Sequence, residues 1–290
     1  MITIVIPTKN RPDFLIKLLN YYAEQDFKHW IAIGDSSDSL IEGEIKKLQE
    51  KLNLIYMDCR GMNIPQTVKK MSQSIRTPYA ALVADDDFLL PRGLEKCAAF
   101  LEDHPDHAAA HGQAVMISTG GGKGSYYKQR PAEGETAVQR LLGHLGDYSV
   151  MLFSLHRTEV WKAMWEKADQ LKDTAFAAEL LPCCLSVLSG KIKQIKDPYL
   201  IRQVHERRYL LPGVFEWVTS PEWAADYRLF SDILTEAAMK KDGIGREAAQ
   251  KAVKQAFWAY LNNILTKKYN DSYRSVPASW FKKLLRRVHT

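Results

Sequence analysis

Apolar residues along this chain fall in short continuous blocks that alternate with stretches of helical spacing. Residues 2–6 are uniformly β-branched and apolar, which predicts a buried strand ended by Pro7. Asn10 is placed to cap a helix, with Pro12 in its first turn and Asp13 near its positive end. Phe14, Leu15, Leu18, Leu19 and Tyr22 then recur on one helical face. The pattern continues with a strand over 30–34, a helix over 41–52, a strand over 54–57 and a helix over 65–75. Val68, Met71 and Ile75 share one face of that last helix. This order, with short links, predicts an α/β fold with a mostly parallel central sheet flanked by helices and joined by right-handed crossovers.

Residues 79–91 carry the most chemistry. An apolar run of strand length ends in Asp85, Asp86 and Asp87, and a proline-initiated helix follows. Ligands of open α/β sheets bind outside the carboxyl ends of the strands. Three adjacent carboxylates repel one another unless water or a cation screens them. Hard oxygen ligands suit Mg²⁺ or Mn²⁺, which usually bridge to substrate phosphates. Taken alone, an acidic triplet is a solvated turn capping the next helix. Its position at the end of an apolar strand favours a metal and phosphate site.

Two more loops are expected at the same edge, Pro7-Thr8-Lys9-Asn10 and Gly34-Asp35-Ser36-Ser37-Asp38. Together they offer backbone amides, hydroxyls and carboxylates, the set that a nucleotide diphosphate needs. Alone, Asp35 reads as a turn-forming residue.

The remainder is read more coarsely. Residues 108–117 predict a strand, 136–145 a helix and 149–155 a strand, after which His156-Arg157-Thr158 opens a helix. The glycine-rich turn over 120–125 lacks the Walker spacing. A helix ends at Gly190, and a last strand runs over 199–205. From about Val214 the chain reads as helical over 221–241, 245–266 and 277–289. In the last segment Trp280, Phe281, Leu284, Leu285 and Val288 share one face, and Lys282, Lys283, Arg286 and Arg287 the other. Such a helix suits an anionic membrane surface, a docked terminal helix or an oligomer contact.

Composition narrows the class. The chain has 290 residues, 46% of them hydrophobic, which supplies a proper core. Four cysteines without a C-x-x-C pair and histidines argue against zinc and for a reduced, cytoplasmic setting. The start runs directly into a strand, unlike a signal peptide, and no run of ~20 apolar residues suggests a membrane span. A net charge of +6 is compatible with an anionic substrate or membrane surface, and no nucleic-acid partner is expected.

The opening Ile-Thr-Ile-Val-Ile-Pro-Thr-Lys-Asn-Arg resembles that of the large inverting glycosyltransferase family numbered two, with its GT-A fold. Ile-Gly-Asp-Ser-Ser-Asp resembles the family's Asp-Asp-Gly-Ser segment, and Ala-Asp-Asp-Asp-Phe-Leu-Leu-Pro its Asp-x-Asp segment. These motifs cover about the first third of the chain. The resemblance implies a nucleotide-sugar-binding half over 1–107, an acceptor half over 108–213 and a helical C-terminal region over 214–290. It implies donor contacts from Pro7, Thr8, Asn10, Arg11, Asp35, Ser36, Asp85 and Asp86, and a Mg²⁺ or Mn²⁺ ion. Counting back from Pro91 favours Asp86 and Asp87 at the metal, and counting from the strand favours Asp85 and Asp87, so Asp87 leads. His205 is a candidate third ligand, and Arg207 and Arg208 are candidates to close over the leaving diphosphate.

The family takes its base from an acidic residue at the start of the helix that here ends at Gly190. Glu179 matches, although its acidic neighbour is missing, and Asp173 stands in reserve. The processive members' Gln-x-x-Arg-Trp is replaced by Gln203-Val-His-Glu-Arg-Arg-Tyr, which implies one sugar added per encounter. The resemblance favours a UDP-sugar donor and a saccharide or lipid-linked acceptor in bacterial surface polysaccharide or glycolipid synthesis. The enzyme is then expected in the cytoplasm or on the inner face of the membrane. A sugar nucleotidyltransferase is the alternative, disfavoured because the loop after the first strand has no glycine. A non-catalytic nucleotide-sugar-binding protein is the other.

Overall fold

In the computed structural model, which describes residues 1–120, 124–207 and 213–275, the first strand β1 (Ile2–Thr8) is buried along nearly its whole length. Helix α1 (Pro12–Glu24) follows and presses Leu15, Leu18, Leu19 and Tyr22 into the core. Strand β2 (Trp30–Asp35), helix α2 (Glu42–Leu48), strand β3 (Asn53–Asp58), helix α3 (Ile64–Ser72) and strand β4 (Tyr79–Leu82) complete the expected alternation. β2 and β4 flank β1, and β3 flanks β2, all in parallel. Thr8 lies in register with Asp35, and Asp35 with Asp58, so the polar ends of three strands line up at one edge.

Pro7 does not end the first strand, which runs on to Thr8. The amide of Val83 donates to the carbonyl of Val5, and that of Ser36 to the carbonyl of Thr8, which fixes the side each residue faces. Pro7 faces the β4 side where that strand has ended at Leu82, a position that tolerates a residue without an N–H. The expected helix over 41–52 is the shorter α2, because Leu48 to Leu52 closes as a turn.

The second half widens the sheet. Strand β5 (Phe88–Leu89), helix α4 (Pro91–Asp103), strand β6 (His107–Ser118), strand β7 (Ser125–Tyr127) and helix α5 (Ala137–Gly146) come first. Strand β8 (Leu155–Arg157), helix α6 (Thr158–Trp165), helix α7 (Leu181–Ser189) and the long strand β9 (Lys191–Val204) follow. Among the described residues the nine strands run β3-β2-β1-β4-β8-β6-β9-β5, with β7 paired to β6. Both β4 and β6 are antiparallel to β8, and β9 is parallel to β6, so β9 runs the same way as β1. Its carboxyl end therefore joins the functional edge. The strand expected over 149–155 is reduced to β8. The apolar run before it is a buried loop, held by Met151 N–H on Cys183 Sγ and by Tyr199 Oη on the carbonyl of Phe153.

Two glycines let β9 approach its neighbours. A Cβ on Gly112 would lie 2.3 Å from the carbonyl oxygen of Asp197, and one on Gly93 2.4 Å from that of Pro198. Pro198 itself sits at the irregularity where the β6–β9 register slips, which is where a strand tolerates proline.

Helices α8 (Val214–Val218), α9 (Trp223–Asp242) and α10 (Arg246–Ser275) pack on α5 and α7 through Phe176, Trp217, Phe230 and Phe257. Asp242 accepts from the amides of Ala137 and Val138 and so caps α5 together with Thr136. Among the described residues no helix is long and apolar enough to cross a membrane. The basic amphipathic segment 277–290, Arg208 and residues 121–123 lie outside the described residues.

Three histidines are sealed in this core. His111 meets Ser154 Oγ at 3.1 Å, His156 meets Ser186 Oγ at 2.9 Å, and His144 is buried on α5. Burial pushes their pKa values down to about 3, about 4 and about 3 respectively. Unfolded histidine takes a proton near 6.5, so below that pH the unfolded chain binds protons that the native state refuses. This contribution to stability is fully present above pH ~6.5 and is lost as the pH falls toward 4. Urea unfolding between pH 7 and pH 4 is expected to show stability falling with pH. His156→Gln, which keeps an N–H for Ser186, is expected to flatten that slope.

Candidate active site

The site forms where the loop after β1, the loop after β2, the triplet after β4 and the end of β9 converge. The triplet is buried, with Asp85 and Asp87 each 1% exposed. Carboxylates so placed must be matched by cations or donors. Asp85 accepts from Thr8 Oγ1 at 2.6 Å and pairs with Arg11 Nη2 at 2.5 Å. Burial pushes its pKa up to about 6 against the pull of Thr8 and Arg11. Asp86 Oδ2 meets Arg11 Nη1 at 2.9 Å and His205 Nε2 at 2.9 Å. Asp87 Oδ2 accepts from Arg202 Nε at 2.9 Å, and its Oδ1 from the amide of Gln203 at 2.9 Å. Its pKa is raised, chiefly by burial, with the Arg202 charge opposing.

The backbone dictates these pairings. β5 begins one residue after Asp87 and runs antiparallel to β9, with Phe88 opposite Ile201. That register carries Asp87 to Arg202 and Gln203. Arg202 is sandwiched between the rings of Tyr127 and Phe153, each 4.8 Å from its guanidinium carbon. His205 stacks on Phe14 of α1 at 4.6 Å, which delivers its imidazole to Asp86. Arg207 pairs with Asp13 in the first turn of α1 and lies over the Phe14 ring at 4.8 Å. Its backbone carbonyl accepts from Arg11.

Asn10 does not cap α1, whose N-cap residue is Arg11. Asn10 sits in the left-handed region at φ 55°, a conformation that asparagine tolerates. From there its side chain bonds both the carboxylate and the amide of Asp38, and its own amide donates to Ser37 Oγ. Asn10 thus ties the first loop to the second. Asp35 is buried, with Oδ1 accepting from the Ser37 amide at 2.9 Å and Oδ2 from Tyr56 Oη at 2.5 Å. Ser36 is turned toward α3, its Oγ meeting Thr67 Oγ1 at 2.9 Å. Pro7 and Thr8 line the same edge through the β1–β2 register.

Glu179 lies in a π-helical turn, Phe176–Leu180, that leads into α7. Single π-turns inside helices recur at functional sites. Its Oε1 accepts from Tyr148 Oη at 3.0 Å. Burial raises its pKa, while the Tyr148 bond and the Arg202 charge pull it down. The charge of Arg202, which pairs with Asp87, is thus also felt at Glu179. Asp173 is employed differently. Its Oδ1 accepts from the Phe176 amide and from Trp217 Nε1, both at 3.0 Å, so it anchors the π-turn and α8.

The resemblance implies a divalent ion, and Asp86 Oδ2 and His205 Nε2, here bonded to each other, are the two donors that would hold one. Ligands about 2.1 Å from an octahedral ion sit about 3 Å apart, as Asp86 Oδ2 and His205 Nε2 do. Two protein ligands completed by phosphate oxygens and water is the usual habit of Mg²⁺. Among the described residues no cluster of three His, Cys, Asp or Glu side chains is placed to hold a metal alone. The carboxylate that meets His205 is Asp86, through the same Oδ2 that takes Arg11 Nη1, whereas Asp87, first in the count from sequence, has both oxygens engaged by Arg202 and Gln203. Asp85 faces Thr8 and Arg11.

Sequence reasoning missed Arg202, Tyr56, Phe14 and Tyr148. Arg202 carried a usable signal, since it sits in the last strand three residues before His205. Tyr148, one residue after the C-cap of α5, carried none.

Comparisons with known proteins agree with this fold. Over 168 residues the chain is 23% identical to the poly(ribitol-phosphate) β-N-acetylglucosaminyltransferase TarS of Staphylococcus aureus strains Mu50 and MW2. The match spans 55% of this chain and 28% of that relative. The crystal structure of S. aureus TarS 1–349 superposes with a TM-score of 0.61 at 16% identity, over 95% of this chain and 75% of that one. Its complex with UDP gives 0.60 at 17% identity, over 96% and 76%. Its complex with UDP-GlcNAc gives 0.55 at 16%, over 93% and 92%. At such identities these structures speak to the fold alone. Residues 3–163, more than half the chain, match the sequence model of Glycosyl transferase family 2, and the chain belongs to that family.

Proposed function

We propose that this protein transfers a single sugar, with inversion, from a uridine diphosphate sugar to an acceptor hydroxyl, in the making of a bacterial surface polymer or glycolipid. The observation that carries this reading is the position of Arg202. It pairs with Asp87 of the triplet and its charge acts on Glu179, which supports a reading in which the diphosphate and the base share one edge. Family membership supports sugar transfer. The relatives bound UDP and UDP-GlcNAc, which supports a uridine donor. TarS, by its name, acts on a poly(ribitol-phosphate), which favours a cell-surface polymer as the acceptor.

In this reading Asp35 meets the uridine, with Tyr56 and Ser37 fixing its two oxygens. Asp86 and His205 would hold Mg²⁺ or Mn²⁺, which when bound would supply positive charge to the leaving diphosphate. Arg11, now paired with Asp85 and Asp86, is the side chain assigned to turn toward the phosphates, and Arg207, whose carbonyl it meets, flanks it. Glu179 takes the proton from the acceptor hydroxyl as its oxygen bonds to the anomeric carbon. The bond from that carbon to the phosphate oxygen breaks, and its electron pair leaves with the diphosphate. One base and one displacement give inversion.

Two outcomes are expected. Glu179→Gln keeps the shape and removes the basicity, so turnover falls ~10²-fold or more while UDP affinity is nearly unchanged. UDP-sugar cleavage beside titration calorimetry measures both, and parental turnover would make Glu179 a helix residue only. Asp86→Asn is expected to erase most of the difference between UDP affinity with Mn²⁺ and with EDTA. Asp87→Asn is expected to leave a larger share of that difference. The reverse order would return the metal to Asp87.

A further inference from the structure

We infer that Tyr148 is a positioning residue that aims Glu179 at the acceptor hydroxyl. This rests on Glu179 being the base. A carboxylate on a helical turn has free rotation about its last bonds unless a partner fixes it. Tyr148 Oη donates to Oε1 at 3.0 Å, which fixes the carboxylate plane and leaves Oε2 as the oxygen to meet an acceptor. The phenol is itself held from two sides, its ring 5.0 Å from His144 of α5 and 5.0 Å from Tyr260 of α10. The π-turn beneath Glu179 is pinned separately by Asp173, whose own amide and that of Lys172 donate to Asp226 of α9. The C-terminal helices thereby reach the reaction centre through Tyr260 and Tyr148, although they supply no candidate catalytic group among the described residues.

The chemistry gives Tyr148 a second consequence. Glu179 must be ionised to act, and burial opposes its ionisation while the phenol bond and Arg202 favour it. The charged or titratable groups that act on it are Tyr148, Arg202, Tyr127, Cys183 and Tyr260. Removing the phenol O–H raises the carboxyl pKa, so the acidic limb of the rate profile moves to higher pH.

The test uses the full chain and release of UDP from a panel of UDP-sugars with water as acceptor. Tyr148→Phe keeps the ring and deletes one donor. Its kcat is expected to fall roughly tenfold, the scale of one hydrogen bond to a charged group. The acidic limb is expected to shift upward, with UDP affinity and donor KM unchanged. Parental kcat and limb in Tyr148→Phe, with Glu179→Gln inactive, overturn the inference and spare the base. Parental turnover in Glu179→Gln, or a parent that cleaves none of the panel, overturns the underlying reading instead. Should Tyr148→Phe not fold, 3-fluorotyrosine placed at 148 keeps the packing and strengthens the donor. Its acidic limb is then expected to move to lower pH, and an unmoved limb overturns the inference.

Discussion

Three consecutive carboxylates in a buried turn are the constraint on which the rest of this structure depends. Asp85, Asp86 and Asp87 repel one another, and burial removes the water that would screen them. The chain answers with three cationic or donor groups from two distant segments, Arg11 after the first strand and Arg202 and His205 at the last. Satisfying the triplet therefore forces the end of β9 onto the start of α1. The stacking of His205 on Phe14 and the pairing of Arg207 with Asp13 follow from the same closure. The result is a site with charges of both signs at the carboxyl edge of a parallel sheet.

The packing around that edge is arranged to keep it in place. Glycines at 93 and 112 let α4 and β6 come close to β9, so the strand bearing Arg202 has little room to shift. The C-terminal helices bury an aromatic cluster around Phe176, inside the π-turn that carries Glu179. The triplet is thus held by electrostatics and the turn bearing Glu179 by aromatic packing.

The first half of the fold was legible because its strands are short with apolar centres and its helices have clean faces. The triplet and its location were legible for the same reason. The partners of each carboxylate were not, because they depend on the β5–β9 register, and β5 is only Phe88 and Leu89. The strand expected over 149–155 failed because an apolar run need not pair when it is buried as a loop against α7. Asn10 looked like a helix cap, but a left-handed backbone turns its side chain to Asp38. Tyr148 and Tyr56 act through contacts across the fold, which local pattern does not encode.

A double-mutant cycle between Asp87 and Arg202 tests the central claim most directly. Asp87→Asn, Arg202→Gln and the double variant are unfolded in urea at neutral pH. Removing either partner alone strands a buried or half-buried charge, and removing both does not. The coupling energy is expected at about 1–3 kcal/mol, with the double variant less damaged than the sum of the single ones. Additive losses, with coupling near zero, would contradict the account, because the triplet would then not depend on the cation that β9 brings to it.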